Sequence, residues 1–262
     1  MSLIGKRLTR PDALGKVTGE AKYPADLIRP GMVHLKVVFA HRPHAKIRSI
    51  DASKALALSG VLAVLTAKDV PFNRYGLVSE DQPVLCDDVV RYYGDKVALV
   101  AAESKEIAEH AALLLQVEYD DLPAVTDPRV GMKDGAALVH SERESNVLHH
   151  VRIRKGDVER AFKGAHIVLE GAFETSWQEH AYLQPDAGIA YYEGGKLVVE
   201  TAGQWLHEDR KQLAKCLGLP EDDVIVRYAK IGGAFGGRED LSIQAVLALA
   251  AWKLQRPCAI LW

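Results

Sequence analysis

Cysteine is scarce in this chain: only Cys86, Cys216 and Cys258 occur among 262 residues, far apart from one another. An odd, scattered set suits neither a disulfide framework nor the paired spacing of a zinc site, and it points to a reducing compartment. An excess of one charge is also missing, since 33 Lys and Arg face 35 Asp and Glu for a net charge of −2. So balanced a chain has no electrostatic footprint for nucleic acid or an anionic membrane. No apolar run reaches bilayer-spanning length. The opening MSLIGKRLTRPD is polar within a few residues, without the apolar centre of a signal peptide. Together these absences predict a cytoplasmic protein whose partners must be argued from sites. What is present is ample apolar material: 48% hydrophobic residues are enough for a buried core in one large or two ordinary domains.

Taken in order, residues 5–30 carry Gly5, Pro11, Gly15, Gly19, Pro24 and Pro30 among charges, which predicts an extended, turn-rich arm. Strands are predicted at 32–40, 47–50 and 61–66, with a short helix at 52–58 ended by Gly60. His41 and His44 flank Pro43 on a loop without a third ligand, too few donors for a divalent metal. A turn at 91–95, a strand at 96–101, a helix capped by Ser104 and running to about Leu115, and a strand at 117–119 follow. This alternation predicts a small α/β domain with helices packed on one sheet. Periodicity then lapses into Pro, Gly, Asp, Ser and His, including the solvated pair His149-His150. The lapse sets a linker at 131–150, between a first domain at 1–130 and a second at 151–262.

The second region reads as a short helix at 156–162, a long alternating strand at 165–177, and a hairpin of 187–192 and 196–201 around Glu193-Gly194-Gly195. An amphipathic helix at 206–217 stops at Gly218, a strand covers 224–231, and an apolar helix at 240–254 is predicted to be buried. The apolar strand at 257–262 is expected to be continued or covered by something else.

Between the last strand and the buried helix stands Gly232-Gly233-Ala234-Phe235-Gly236-Gly237-Arg238-Glu239, two glycine pairs around one ring with a carboxylate behind it. The pattern fits either an ordinary strand-to-helix connection or a bare loop that lets another molecule approach the backbone. Read as a loop at a helix start, its free N–H groups would suit an anion or an oxo group. Nucleotide motifs do not fit. The P-loop lysine and hydroxyl are replaced by Arg238 and Glu239, and the glycines are not spaced Gly-x-Gly-x-x-Gly. Nor is there a Gly-x-Ser-x-Gly elbow for a serine hydrolase.

Taken together, these stretches resemble the molybdenum-cofactor subunit of the xanthine dehydrogenase/aldehyde oxidase family, the molybdenum hydroxylases. The likeness covers nearly the whole chain. GKRLTRPDA at 5–13 and KVTGEAKY at 16–23 are similar to the family's opening arm and α/β-hammerhead domain, and GVLAVLTAKDVP at 60–71 looks like the strand after that domain's first helix. The region from about 140 looks like the start of the molybdopterin-binding portion. The fold class implied is mixed α/β, an N-terminal α/β-hammerhead domain followed by the first part of a molybdopterin-binding α+β domain.

For the site, the resemblance implies that Gln204, otherwise a strand-end amide, hydrogen-bonds an oxygen ligand of molybdenum. Gly233, Ala234, Phe235 and Gly236 match the glycine-phenylalanine loop, whose backbone approaches the metal's oxo ligand while the ring packs on substrate. Gln204 and Phe235 would thus reach the metal only through its oxygen ligands. Ala234 replaces a glycine frequent in that loop, a change small enough to permit close approach. Glu239 falls where purine-oxidising members carry a substrate-binding glutamate; alone it reads as a solvated acid at a helix N-terminus. HAYLQPD at 180–186 resembles a HAYLEPE-like stretch, but Gln184 and Asp186 depart from the commoner acids and are assigned no catalytic role.

The implied reaction is hydroxylation of an aldehyde or an aromatic N-heterocycle with water-derived oxygen. The implied cofactor is molybdenum-molybdopterin, including its cytosine dinucleotide form. Electrons would leave to an iron-sulfur subunit and an FAD subunit, because three scattered cysteines cannot hold a four-cysteine cluster. The base glutamate is expected outside this chain, which therefore reads as a fragment or a divided subunit completed by a remaining molybdopterin-binding chain or segment. The alternative is a non-catalytic scaffold or assembly subunit that retains the fold.

Overall fold

A computed structural model describes residues 4–262, and residues 1–3 lie outside them. The chain up to Leu122 and His180–Trp262 form one compact unit; Pro123–Glu179 form another. The first unit contains α1 (Ala13–Thr18), β1 (Val33–Phe39), β2 (Ala45–Asp51), α2 (Ser53–Leu56), β3 (Val61–Leu65), β4 (Val89–Val90), β5 (Lys96–Ala102), α3 (Lys105–Leu114) and β6 (Gln116–Asp121). The second unit holds α4 (Pro128–Gly131) and α5 (Val158–Gly164). The first unit then resumes with β7 (Ala187–Glu193), β8 (Lys196–Thr201), α6 (Leu206–Leu217), β9 (Val224–Tyr228), α7 (Gln244–Leu254) and β10 (Cys258–Leu261).

Seven strands in the order β3-β5-β1-β10-β7-β8-β9 make one sheet, and β4-β2-β6 make a second. The pairs β1–β10 and β8–β9 are parallel. Strand β5 is buried at all seven positions, as expected of an unbroken apolar run covered on both faces. The β7–β8 hairpin turns through Gly194 and Gly195, both at positive φ (59° and 81°), the conformation a two-residue turn between twisted strands requires. Helix α7 is apolar all round and lies against β7 and β8, with Val246, Leu247 and Leu249 fully buried. Helix α6 buries Leu213, Ala214, Cys216 and Leu217, and Gly218 ends it in the left-handed conformation. In α3 the Ser104 hydroxyl accepts from the Ile107 N–H at 3.2 Å, the expected N-cap.

Several elements depart from the sequence expectation. The α/β part does not own its sheet: β1, β3 and β5 share the seven-stranded sheet with the last four strands, while β2, β4 and β6 form the smaller one. The cause is β10, whose Cys258 and Ile260 are buried beside Val33 and Leu35 of β1 and which pairs on its other side with β7. The arm is not wholly extended, since Asp12 pairs with Arg10 at 2.6 Å and Lys16 at 2.9 Å, and Gly19 supplies a left-handed cap to α1. Strand β9 stops at Tyr228, three residues short. Helix α7 starts at Gln244, four residues late, because Asp240 and Gln244 side chains take the N–H groups of Leu241 and Ser242 in a turn. In the second unit the alternating stretch 165–177 is not a strand: among the described residues no partner strand receives its backbone groups. That unit is tied locally by Asn146, whose side chain accepts from Val139 N at 2.9 Å and donates to the Gly131 and Ala137 carbonyls.

Candidate functional site

Three segments of the first unit meet at the end of the sheet: 180–186 before β7, 203–204 after β8, and 232–239 after β9. Gln204 is tied twice to Arg238. Its N–H donates to the Arg238 carbonyl at 3.0 Å, and its Oε1 accepts from the Arg238 N–H at 3.3 Å. Gly232 is held by Gln184, whose Oε1 accepts from the Gly232 N–H at 2.5 Å. The side chain of Arg238 is only 2% exposed. One of its Nη atoms lies 2.6 Å from Asp186 Oδ1, the other donates to the Gln184 carbonyl at 2.6 Å, and the guanidinium lies 4.1 Å over the Tyr182 ring.

On this floor the loop makes a tight turn, with Gly237 N–H donating to the Ala234 carbonyl at 2.8 Å. Phe235, inside that turn, has φ 54° and is 76% exposed. An aromatic residue in the left-handed region, presenting its ring to solvent, carries both strain and unburied apolar surface, a combination that accumulates at functional sites. The N–H groups of Gly233, Ala234, Phe235 and Gly236 have no acceptor among the described residues. Close seating excludes side chains at the flanks. A Cβ on Gly232 would lie 2.7 Å from the Gln184 Cβ, and one on Gly237 would lie 2.9 Å from the His180 and Tyr182 rings.

Glu239 is exposed, and its Oε1 lies 3.9 Å from where a Gly236 Cβ would stand, the same distance as His180 Nε2. It is not at a helix N-terminus, contrary to expectation, because α7 begins only at Gln244; the helix dipole therefore does not converge on the glycine loop. The site residues expected from the sequence, Gln204, Gly233, Ala234, Phe235, Gly236 and Glu239, nevertheless stand on two of the three joined segments. Sequence reasoning missed Arg238, and it gave Gln184, Asp186 and Tyr182 no part in holding the loop. The available signal was an arginine directly after two glycines.

Next to Tyr228, which packs on Gly203, lies a carboxylate. Asp209 in the first turn of α6 is buried, accepts from Tyr228 Oη at 2.7 Å and Gln244 Nε2 at 3.3 Å, and has its pKa pushed up to about 6 by burial and by the nearby charge of Asp240. The Tyr228 ring fills the place of a side chain at Gly203, where a Cβ would lie 2.4 Å from Tyr228 Oη. The network thus sets the approach of the residue preceding Gln204.

Among the described residues no group of three or more His, Cys, Asp and Glu can hold a metal ion directly. What the site offers instead is hydrogen-bond donors: the four N–H groups of the loop, and below them the buried Gln184 Nε2 and Arg238 Nε, neither with a partner among the described residues. Donors without acceptors suit an oxygen-rich group such as an oxo metal centre or a pterin phosphate.

Two family models match the chain. An aldehyde oxidase and xanthine dehydrogenase a/b hammerhead domain matches residues 18–123, and a molybdopterin cofactor-binding domain matches residues 139–262. A probable xanthine dehydrogenase component of Bacillus subtilis is 44% identical over 253 residues, 96% of this chain and 34% of that protein. The nicotinate dehydrogenase large molybdopterin subunit of Eubacterium barkeri is 37% identical over 257 residues, 97% of this chain and 60% of its own length. The solved aldehyde oxidoreductase from Desulfovibrio gigas superposes with a TM-score of 0.91 at 32% identity, covering 98% of this chain and 30% of the other. This chain therefore spans about a third of the first relative and three fifths of the second.

Proposed function

We infer the function from one premise: this chain belongs to the xanthine dehydrogenase/aldehyde oxidase family of molybdopterin-dependent oxidoreductases. It forms one wall of a molybdenum hydroxylase site that oxidises an aldehyde or an aromatic N-heterocycle. The observation that carries this is the meeting of Gln204 with a bare loop of four donor N–H groups around a strained, exposed Phe235. When bound, the molybdenum-molybdopterin group, in its cytosine dinucleotide form or another, supplies the oxidising centre for oxygen insertion. The residues here do the positioning. Gln204 and the N–H groups of Gly233, Ala234, Phe235 and Gly236 are donors for charge on oxygen, a preorganised arrangement that costs no rearrangement during reaction. The Phe235 ring orients an aromatic or carbonyl substrate against the wall, and Glu239 takes a polar edge of it. No residue of this chain is assigned as the base.

The same reading divides the sequence into 1–130, a linker at 131–150, and 151–262. It assigns the base glutamate and further pterin contacts to a remaining molybdopterin-binding segment or chain, and electron transfer to iron-sulfur and FAD partners. Burial of all three cysteines, with the thiols of Cys216 and Cys258 pushed up to about 12, supports placing the clusters elsewhere. The few scattered cysteines support a cytoplasmic complex, and the balanced charge one without nucleic acid. No helix among the described residues is long and apolar enough to cross a membrane.

The test is to purify the protein with its neighbours from the native host and measure molybdenum and pterin. Stoichiometric metal and a large companion are expected; metal-free material that never acquires that companion would favour the scaffold reading. In the loaded complex, Phe235→Ala should lower turnover while molybdenum is retained.

A further inference from the structure

We propose that Arg238 is a positioning residue: the pair of its buried guanidinium with the partly buried Asp186 is a clasp that sets the height of Phe235 and the direction of the Gln204 amide, a role that presupposes the function inferred above. One residue joins three segments distant in sequence. Through its side chain it holds the Gln184 carbonyl and the Asp186 carboxylate, both at 2.6 Å. Through its backbone it holds Gln204, giving its N–H to Oε1 and accepting the Gln204 N–H. Gln184, so anchored, in turn carries the Gly232 N–H, the first residue of the loop. Asp186 is itself shared, with Oδ2 accepting from the Tyr182 hydroxyl at 3.4 Å. The loop rests on that same tyrosine, because Gly237 has no room for a side chain above it.

The chemistry of the pair argues for geometry over stability. A buried ion pair gains little net stability relative to apolar groups of similar volume, because both charges must be desolvated. Its distinguishing property is direction: the guanidinium fork presents two donors at a fixed angle, and here they reach two acceptors two residues apart. The loop needs such a device. Its four glycines have no side chains to pack, and Phe235 sits in a conformation that an unrestrained chain would leave.

Amide hydrogen exchange on the complex purified from its host separates this from a plain packing role. The neutral pair Arg238→Met with Asp186→Asn leaves no unpaired buried charge and fills similar space, so the fold should persist. Exchange of the hydrogen-bonded loop amides at 232, 237 and 238 is expected to accelerate about ten- to a hundredfold, the loss of a charge-assisted hydrogen bond read as local opening, while peptides of α7 stay unchanged. Arg238→Lys, which keeps a charge for Asp186 but loses the fork that also reaches the Gln184 carbonyl, should recover only part of the protection. Turnover should fall about tenfold at equal molybdenum content, in kcat more than in KM. Unchanged loop exchange in the neutral pair would overturn the clasp, as would equal acceleration of the loop and α7, which marks a global stability effect. Because the exchange readout needs no bound metal, local acceleration in metal-free protein would uphold the clasp while counting against the hydroxylase reading.

Discussion

Strand β10 and the stretch 165–177 differ in where their backbone groups go. The first lies between β1 and β7, with neighbours on both sides, and buries Cys258 and Ile260. The second has no partner strand among the described residues and leaves Leu169, Phe173 and Trp177 in solvent, Leu169 at 90% exposure. The first is apolar and the second alternates apolar with polar residues, and both have side chains a strand favours. An extended segment is stable only when its N–H and C=O groups meet another edge, so the partner decides the outcome. The glycine loop makes the same point from the opposite side. Its composition is that of a flexible turn, yet Arg238, Gln184 and Gln204 hold it from three directions.

The strongest way to break this contrast is to place a charge in the paired strand. Cys258→Asp should cost about 4–6 kcal/mol, since a carboxylate there is desolvated without a partner, and urea unfolding should find little folded chain. A buried carboxylate that does have partners should cost less. Asp209, with its pKa raised from the ordinary 3.8 to about 6, binds a proton more tightly in the folded state. Its contribution is therefore fully present below pH 3.8 and is lost as pH rises through 6, by about 3 kcal/mol at neutral pH. Asp209→Asn should remove that dependence, so that the urea midpoints at pH 5 and pH 8 lie closer together than in the unchanged protein.

Smaller effects sharpen the contrast at the loop. Phe235→Gly releases the left-handed strain at the entropic cost of a glycine. Stability should rise by about 0.5–1 kcal/mol by thermal unfolding, while turnover of the loaded complex drops. A gain of stability with full turnover would detach the ring from function. At the bottom of the scale, Leu169→Asp in the unpaired stretch should change the unfolding free energy by less than about 0.5 kcal/mol. A loss near that of Cys258→Asp would mean that 165–177 packs in solution as β10 does.

Much of the fold was legible because local chemistry and final structure agree. The Ser104 cap, the Gly194-Gly195 hairpin, the Gly218 stop after α6 and the buried α7 each depend on residues a few positions apart. The family resemblance was legible for the same reason: the two family matches cover the stretch at 60–71 and the region from about 140 that carried it, though not the arm at 5–13. Within the candidate site, the exposed parts stood out, the glycine pairs around Phe235 and the amide of Gln204. The supports did not, because Gln184, Asp186 and Arg238 are ordinary polar residues until the chain brings them within 2.6 Å across more than fifty positions.

By itself, the sequence determined which segments are apolar enough to be buried, where helices and turns begin and end, and which loop is left bare. Those are properties of side-chain transfer and backbone torsion within a few residues. Only the tertiary structure decided that β10 joins the strands of both halves into one sheet, that 165–177 stays unpaired, and that Arg238 clasps the loop to Asp186. Each of these is a pairing of groups distant along the chain, and hydrogen bonds and buried charges are satisfied or orphaned only once both partners are in place.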